Sequence, residues 1–289
     1  MSFCYLNGEF LPREQACISP MDRGFLFGDG AYEVIPVYAR QPFRLEAHLR
    51  RLENTLAGLG IPQPHARAEW AAYIEALVAH NAGDDQAVYV QVTRGVDERR
   101  NHAFPERASP TVFMMSDPLA PVPEVQLAEG VGMISLEDNR WLRCDLKTTA
   151  LLANCLLRQQ AVAAGCAEAL LLRDGFLTEG SASNIFVVCE GVLVAPPKSH
   201  LILPGITYDV VLELAAEYGL PYETRAIAES EVRSADEIWM TSSTKEVLPV
   251  TRLDGRPVGS GRPGAVWQQM HAWFVACRNG EKRHGRSAT

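Results

Sequence analysis

Lys147 lies in the run Asp145-Leu146-Lys147-Thr148-Thr149, just ahead of a long apolar stretch, and polar clusters recur after it. LTEGSASN sets Glu179, Ser181 and Asn184 at the end of a hairpin. LPGIT, with Leu203, Ile206 and Thr207, opens a helix with small groups and free backbone N–H, a natural phosphate cradle. TSST at 241–244 places the hydroxyls and amides of Ser242 and Ser243 at a strand's end. Taken singly, each cluster has an ordinary explanation. Lys147 reads as a solvated lysine at a helix start, Glu179 as a turn carboxylate and the LPGIT threonine as a helix cap. Taken in this order, they are the components that pyridoxal 5′-phosphate requires. Its aldehyde needs an amine, its pyridine nitrogen an acid that keeps it protonated, and its phosphate dipoles and a cation.

A second segment with chemical content is RGVDERRNHAFP at 94–105. Arg100 and His102 are two residues apart, so in an extended loop both side chains point the same way. With a tyrosine hydroxyl they can grip a carboxylate, the guanidinium acting as a two-pronged donor. On charge alone the segment is equally a solvated basic loop. Other motifs are rejected. Gly24, Gly28 and Gly30 have the wrong spacing for a dinucleotide fingerprint. Ser242 to Lys245 matches SxxK, the serine–lysine hydrolase motif, but follows a strand and has no SxN or KTG partner downstream.

The elements that must position these groups are legible along the chain. Asn7-Gly8 turns a hairpin between FCYL and EFLP. Residues 31–38 read as a strand in which Pro36 hints at an edge. Leu49, Leu52, Leu56 and Leu59 mark a helix, and Trp70, Tyr73, Ile74 and Leu77 a second over about 66–80. Residues 87–93 and 111–115 read as strands. Residues 117–124, with three prolines, read as a stiff extended connector. Beyond it come a strand at 131–136, a helix at 149–165, a hairpin turning at Asp174-Gly175, further strands, a helix from Gly205 to Gly219 and a terminal helix. Mixed elements without regular βαβ alternation indicate an α+β fold. The domains are expected at 1–116 (N-terminal α+β), 117–126 (linker) and 127–280 (C-terminal, cofactor-binding). Residues 281–289 read as a disordered tail.

The chain has 289 residues, 47% hydrophobic and 21% charged, which excludes disorder as the dominant state. Its 35 acidic and 27 basic residues give a net charge of −8, arguing against a nucleic-acid binder. No apolar run reaches the ~20 residues of a membrane span. MSFCYLNGEF lacks a basic segment followed by an apolar one, so no secretory signal is expected. The seven cysteines are scattered without a CxxC, which points to reduced thiols, a cytoplasmic location and no metal site.

The succession FGDGAYEVI, HLRRL, DLKTTALLAN, LTEGSASNIFVV, LPGITYDVV and TSSTKEVLPV resembles the fold-type IV pyridoxal-phosphate enzymes, over residues 3–255. That family comprises D-amino acid aminotransferases, branched-chain L-aminotransferases and aminodeoxychorismate lyases. The resemblance implies a two-domain fold, with a small sandwich-like α/β N-terminal domain and a larger pseudo-barrel C-terminal one. It implies that Lys147 bonds covalently to the cofactor and acts as the base, and that Glu179 bonds the pyridine nitrogen. Arg51, Ile206, Thr207, Ser242 and Ser243 would hold the phosphate, Leu203 would pack on the ring, and Tyr32 would face substrate. The chain departs at Tyr208, where the family usually has arginine. In the 94–105 loop the sequence is similar to the D-amino acid branch, whose Arg-x-His pair traps the substrate carboxylate across a homodimer interface. The resemblance therefore implies transamination between a D-amino acid, D-alanine foremost, and a 2-oxo acid such as 2-oxoglutarate. The rivals are the branched-chain and lyase branches and, from another class, a pyridoxal-phosphate carrier without transferase activity or a purely structural protein.

Overall fold

A computed structural model describes residues 2–107 and 109–280, so the expected tail at 281–289 lies outside the described residues. The chain divides into two compact units. The first comprises residues up to 121, 140–155 and 199–203; the second comprises 122–139, 156–198 and 204 onward. Residues 140–155, with Lys147, and 199–203 thus belong to the first unit, although the sequence pattern groups them with the C-terminal half.

The first unit is built on β1 (Phe3–Leu6), β2 (Glu9–Pro12), β3 (Gly30–Tyr38), β4 (Gln41–Pro42), β5 (Gln86–Thr93) and β6 (Thr111–Pro118), with helices α1 (Arg23–Phe27), α2 (Leu45–Leu59) and α3 (Arg67–His80). The sheet order is β2-β1-β6-β5-β3-β4, antiparallel throughout. Asn7 and Gly8 both take positive φ, as the first hairpin requires. One sheet face carries Tyr5, Ile35, Val37, Val88, Val90, Val92 and Met114 and packs on Leu49, Leu52 and Leu56 of α2 and Trp70, Ile74 and Leu77 of α3. Pro36 is tolerated because its carbonyl accepts from the Phe43 N–H (2.8 Å) on the outer side of β3. Its missing N–H points the same way, not toward β5.

The second unit contains α4 (Glu124–Glu129), β7 (Val131–Glu137), most of α5 (Leu152–Ala163), β8 (Glu168–Arg173), β9 (Phe176–Gly180), β10 (Asn184–Cys189), β11 (Val192–Ala195), α6 (Ile206–Tyr218), β12 (Tyr222–Thr224), α7 (Glu229–Ser234), β13 (Glu237–Ser242), β14 (Glu246–Leu253), β15 (Arg256–Pro257) and α8 (Ala265–Arg278). The order is β12-β11-β10-β13-β14-β7-β8-β9, with β15 on β14. Between β9 and β10 only residues 181–183 intervene, yet the two strands are five places apart in the sheet. A flat sheet would separate them by about 24 Å at the usual strand spacing. The link reaches about 14 Å at most, so the sheet curls into a half-barrel. Ile185, Val187, Ile238, Met240, Leu248 and Val250 fill its inside. Phe186 and Trp239, alternating with them, face outward, where the Phe186 ring lies 5.0 Å from Tyr208 of α6. Burial on both faces explains the continuous apolar runs of these strands.

Two expected elements differ. The connector at 117–124 is not uniformly extended: β6 runs to Pro118, and Glu124 begins α4. The helix expected from 149 begins at Leu152, because residues 147–149 are taken up in pairing with β3.

Candidate active site

In the first unit, Lys147 is carried on an extended segment laid along the outer edge of β3. The Tyr32 N–H donates to the Lys147 carbonyl (3.0 Å), the Thr149 N–H to the Gly30 carbonyl (2.9 Å), and Ala31 and Thr148 form a bridge. Glycines permit the approach. A Cβ at Gly30 would stand 3.2 Å from Thr149 Oγ1, and one at Gly28, whose φ is +65°, 3.0 Å from Ala150 Cα. The pairing puts Lys147 Nζ 4.1 Å from the centroid of the Tyr32 ring. Tyr32 is on the face of β3 opposite the core, beside Tyr89 (ring centroids 5.7 Å apart). Burial, with the neighbouring Tyr32, pushes the Tyr89 phenol up to about 12, and its hydroxyl donates to Gln91 Oε1 (2.7 Å).

Helix α2 presents His48, Arg51 and Thr55 at i, i+3 and i+7, one stripe beside its leucine stripe. Thr55 Oγ1 accepts from the Lys147 N–H (3.3 Å). Arg51 grips Glu33 with two prongs, Nε to Oε1 and a terminal nitrogen to Oε2, both 2.7 Å. His48 Nδ1 is 2.8 Å from Oε2. Glu33 is fully buried. Burial would raise its pKa, but the Arg51 guanidinium and His48 overcome that and hold it at about 2. The carboxylate is thus ionised and only accepts, so His48 carries its proton on Nδ1. Burial lowers the His48 pKa and keeps the ring neutral. Glu33, His48 and Thr55 were missed from sequence. The available signal was a carboxylate at Glu33 in step with Ala31, Ile35 and Val37 on the buried face of the strand.

Arg100 and His102 lie in the loop between β5 and β6, exposed, and both pack on one ring. The Phe27 centroid is 5.1 Å from Arg100 Cζ and 5.4 Å from the His102 ring. Leu203, half-buried, ends the last segment of this unit.

In the second unit, Glu179 is buried and its Oε2 accepts from Asn184 Nδ2 (3.0 Å). Asn184 is also the Cα partner of Thr241, just before Ser242 and Ser243. Its Oδ1 lies 1.9 Å from where a Cβ would stand on Gly205, the N-cap of α6. Asn184 therefore joins the carboxylate, the start of α6 and the 241–243 strand end. No side chain caps the start of α6 at Gly205, and helix-start amides such as those of Ile206 and Thr207 can donate to an anion. Thr241 Oγ1 is buried without a hydrogen-bond partner beside them. Ser181 and Ser183 are turned to another carboxylate, Glu168. A carboxylate, helix-start amides and two hydroxyls in one unit suit the ring nitrogen and phosphate of pyridoxal 5′-phosphate. The first unit carries the Lys147 amine and the Arg51 guanidinium.

The model of the family described as amino-transferase class IV matches residues 30–253. The chain belongs to that family. It is an aminotransferase, and class IV aminotransferases use pyridoxal 5′-phosphate. It is 42% identical over 264 residues to a D-alanine aminotransferase of Bacillus licheniformis, covering 91% of this chain and 93% of that protein. It is 36% identical over 274 residues to one of Staphylococcus aureus (strain MW2), covering 95% and 97%. Among solved structures it is similar to the branched-chain amino acid aminotransferase of Escherichia coli (TM-score 0.90, 25% identity, 98% of this chain and 96% of that one). The T.th. branched-chain amino acid aminotransferase, solved with pyridoxamine 5′-phosphate, also has TM-score 0.90, with 27% identity over 97% of this chain and 95% of that one.

Tyr208, the position at which the sequence departs from the resemblance, is an anchor of α6. Its buried hydroxyl donates to the Pro196 carbonyl (2.8 Å). All seven cysteines are free. Among the described residues no cluster of three or more His, Cys, Asp or Glu could hold a metal ion, and no helix is long and apolar enough to cross a membrane.

Proposed function

We propose that this aminotransferase moves the amino group of a D-amino acid, D-alanine foremost, to a 2-oxo acid such as 2-oxoglutarate. Lys147 bonds the cofactor covalently, Glu179 holds a proton at its ring nitrogen, and Leu203 packs on its ring. Arg51, the amides of Ile206 and Thr207, and the hydroxyls of Ser242 and Ser243 hold its phosphate. Bound there, the cofactor supplies an electron sink for the pair released when the substrate Cα–H bond breaks. Once the substrate amine has displaced it from the cofactor, the Lys147 amine would take the Cα proton and pass it to the cofactor carbon it had been bonded to. It would carry a proton in the opposite direction when the second 2-oxo acid reacts. Asn184 keeps the Glu179 carboxylate oriented, and Glu33 keeps the Arg51 fork aimed. Tyr32, Arg100 and His102 bind the substrate carboxylate.

The observation that carries the D-amino acid reading is the Arg100–His102 pair gathered on the Phe27 ring, a guanidinium and an imidazole suited to donate together to a carboxylate. The relatives named D-alanine aminotransferase, at 36–42% identity, support it over the branched-chain structures at 25–27%. We also propose a cytoplasmic homodimer in which the loop of each protomer reaches the partner's site; free cysteines support the reducing compartment.

A chiral panel tests the substrate. The holoenzyme is given D-alanine, L-leucine or L-isoleucine with 2-oxoglutarate, and the new 2-oxo acid is measured. Pyruvate from D-alanine is expected; turnover of the L-amino acids alone overturns the proposal. Arg100→Ala is expected to raise KM for D-alanine at least tenfold while the cofactor absorbance stays.

A further inference from the structure

The loop bearing Arg100 and His102 has no regular secondary structure from 98 to 107, and both side chains are exposed. A grip made of exposed side chains on an irregular loop binds poorly unless something holds its backbone, because substrate must then order the loop as well. Arg23 of α1 does the holding. Its guanidinium is almost fully buried, yet it is spent on three consecutive loop carbonyls: Asn101 (2.6 Å) and Ala103 (3.2 Å) from one terminal nitrogen, His102 (3.2 Å) from the other. Its Nε donates to Asp29 Oδ2 (2.8 Å), and Asp97 Oδ2 lies 3.8 Å from a terminal nitrogen. Asp29 is also held by Arg94 (2.8 and 3.0 Å), whose guanidinium lies 3.5 Å from the centre of the Phe104 ring. Four residues beyond Arg23 on the same helix, Phe27 offers the ring on which Arg100 and His102 rest.

We propose that Arg23 and Phe27 are positioning residues for the substrate carboxylate: Arg23 fixes the backbone of 101–103 and Phe27 fixes the directions of the Arg100 and His102 side chains. This rests on the reading of Arg100 and His102 as the carboxylate grip. The guanidinium fork matters because it meets three carbonyls and a carboxylate at once. A lysine keeps the charge beside Asp29 but lacks the planar, divergent donors. Neither residue touches substrate; both act through the loop.

The test is a double-mutant cycle on the holoenzyme with Arg23→Ala and Arg100→Ala, reading KM and kcat for D-alanine, together with hydrogen exchange of the 97–107 peptide. Arg23→Ala is expected to raise KM about tenfold, to change kcat by less than about threefold, and to speed exchange in that peptide. Added to Arg100→Ala, it is expected to raise KM by clearly less than tenfold, since only its route through His102 remains. Arg23→Lys is expected to recover only part of the loss. An unchanged KM in Arg23→Ala, or the same tenfold rise in both backgrounds, overturns the proposal while leaving the grip intact. An unchanged KM in Arg100→Ala alone overturns the grip itself and this inference with it. If Arg23→Ala does not fold, Phe27→Leu, which leaves the ion pairs in place, enters the same cycle: a KM rise larger with Arg100 in place than in Arg100→Ala supports the proposal, and an unchanged KM or an equal rise in both backgrounds overturns it.

Discussion

Glu33→Gln keeps the shape of a fully buried side chain and removes its charge. In the wild type its two oxygens accept from Arg51 twice and from His48 once, at 2.7, 2.7 and 2.8 Å. An amide in their place turns an NH2 group toward one of these donors and leaves the Arg51 charge uncompensated. Breaking a buried pair from one side costs about 3–5 kcal/mol. Proton linkage leads to a similar figure: the fall of the Glu33 pKa from 4.5 to about 2 corresponds to about 3 kcal/mol, at about 1.4 kcal/mol per pH unit. Because the folded-state pKa is depressed, this stability is fully present above about pH 5 and is lost as pH falls toward 2. The midpoint of thermal unfolding at pH 7, followed by circular dichroism, is therefore expected to drop by about 5–8 °C, and the gap to wild type to narrow below about pH 5. Cofactor affinity is expected to fall too, since Arg51 loses the partner that aims it. Glu33→Leu with Arg51→Met, which removes both charges, is expected to melt above Glu33→Gln while still binding cofactor weakly. A Glu33→Gln variant melting within about 2 °C of wild type, or a gap that stays constant between pH 6 and 3, would refute the role assigned to this pair.

Lys147→Ala is expected to abolish transamination, and borohydride reduction of the wild-type holoenzyme to label the peptide bearing Lys147; a label elsewhere rejects the assignment. Mixing Lys147→Ala with Arg100→Ala subunits under exchanging conditions is expected to restore activity, because one mixed site carries both native residues; no recovery in isolated mixed dimers counts against a loop acting in trans. Gly205→Ala places a methyl 1.9 Å from Asn184 Oδ1 and is expected to cost about 1–3 kcal/mol and to weaken cofactor binding, read by absorbance titration. Tyr208→Phe leaves the Pro196 carbonyl without its donor and is expected to lower stability by about 1 kcal/mol, with activity retained, as denaturant unfolding and turnover together would report.

Much of the site was legible in the chain because its chemistry is written in local runs. The hairpins at Asn7-Gly8 and Asp174-Gly175 follow from turn residues that accept positive φ, and both take it. The leucine spacing from Leu49 to Leu59 and the run from Gly205 to Gly219 marked α2 and α6 within a few residues. The start of α5 was misplaced by three residues. TALLANCLL has a helical apolar pattern, but the first residues are claimed by the edge of β3, a partner more than a hundred residues distant.

What the sequence determined by itself was the list of candidate reactive groups and the turns and helix starts that carry them, since a lysine, a carboxylate or a glycine-opened helix announces itself within a few residues. Tertiary structure decided which charges face one another: Glu33 with Arg51 and His48, and Arg23 with Asp29 and the carbonyls at 101–103. Those pairings join a strand to a helix and a short helix to a distant loop. A buried charge finds its partner only through the packing that buries it, so no local run of residues could have named them.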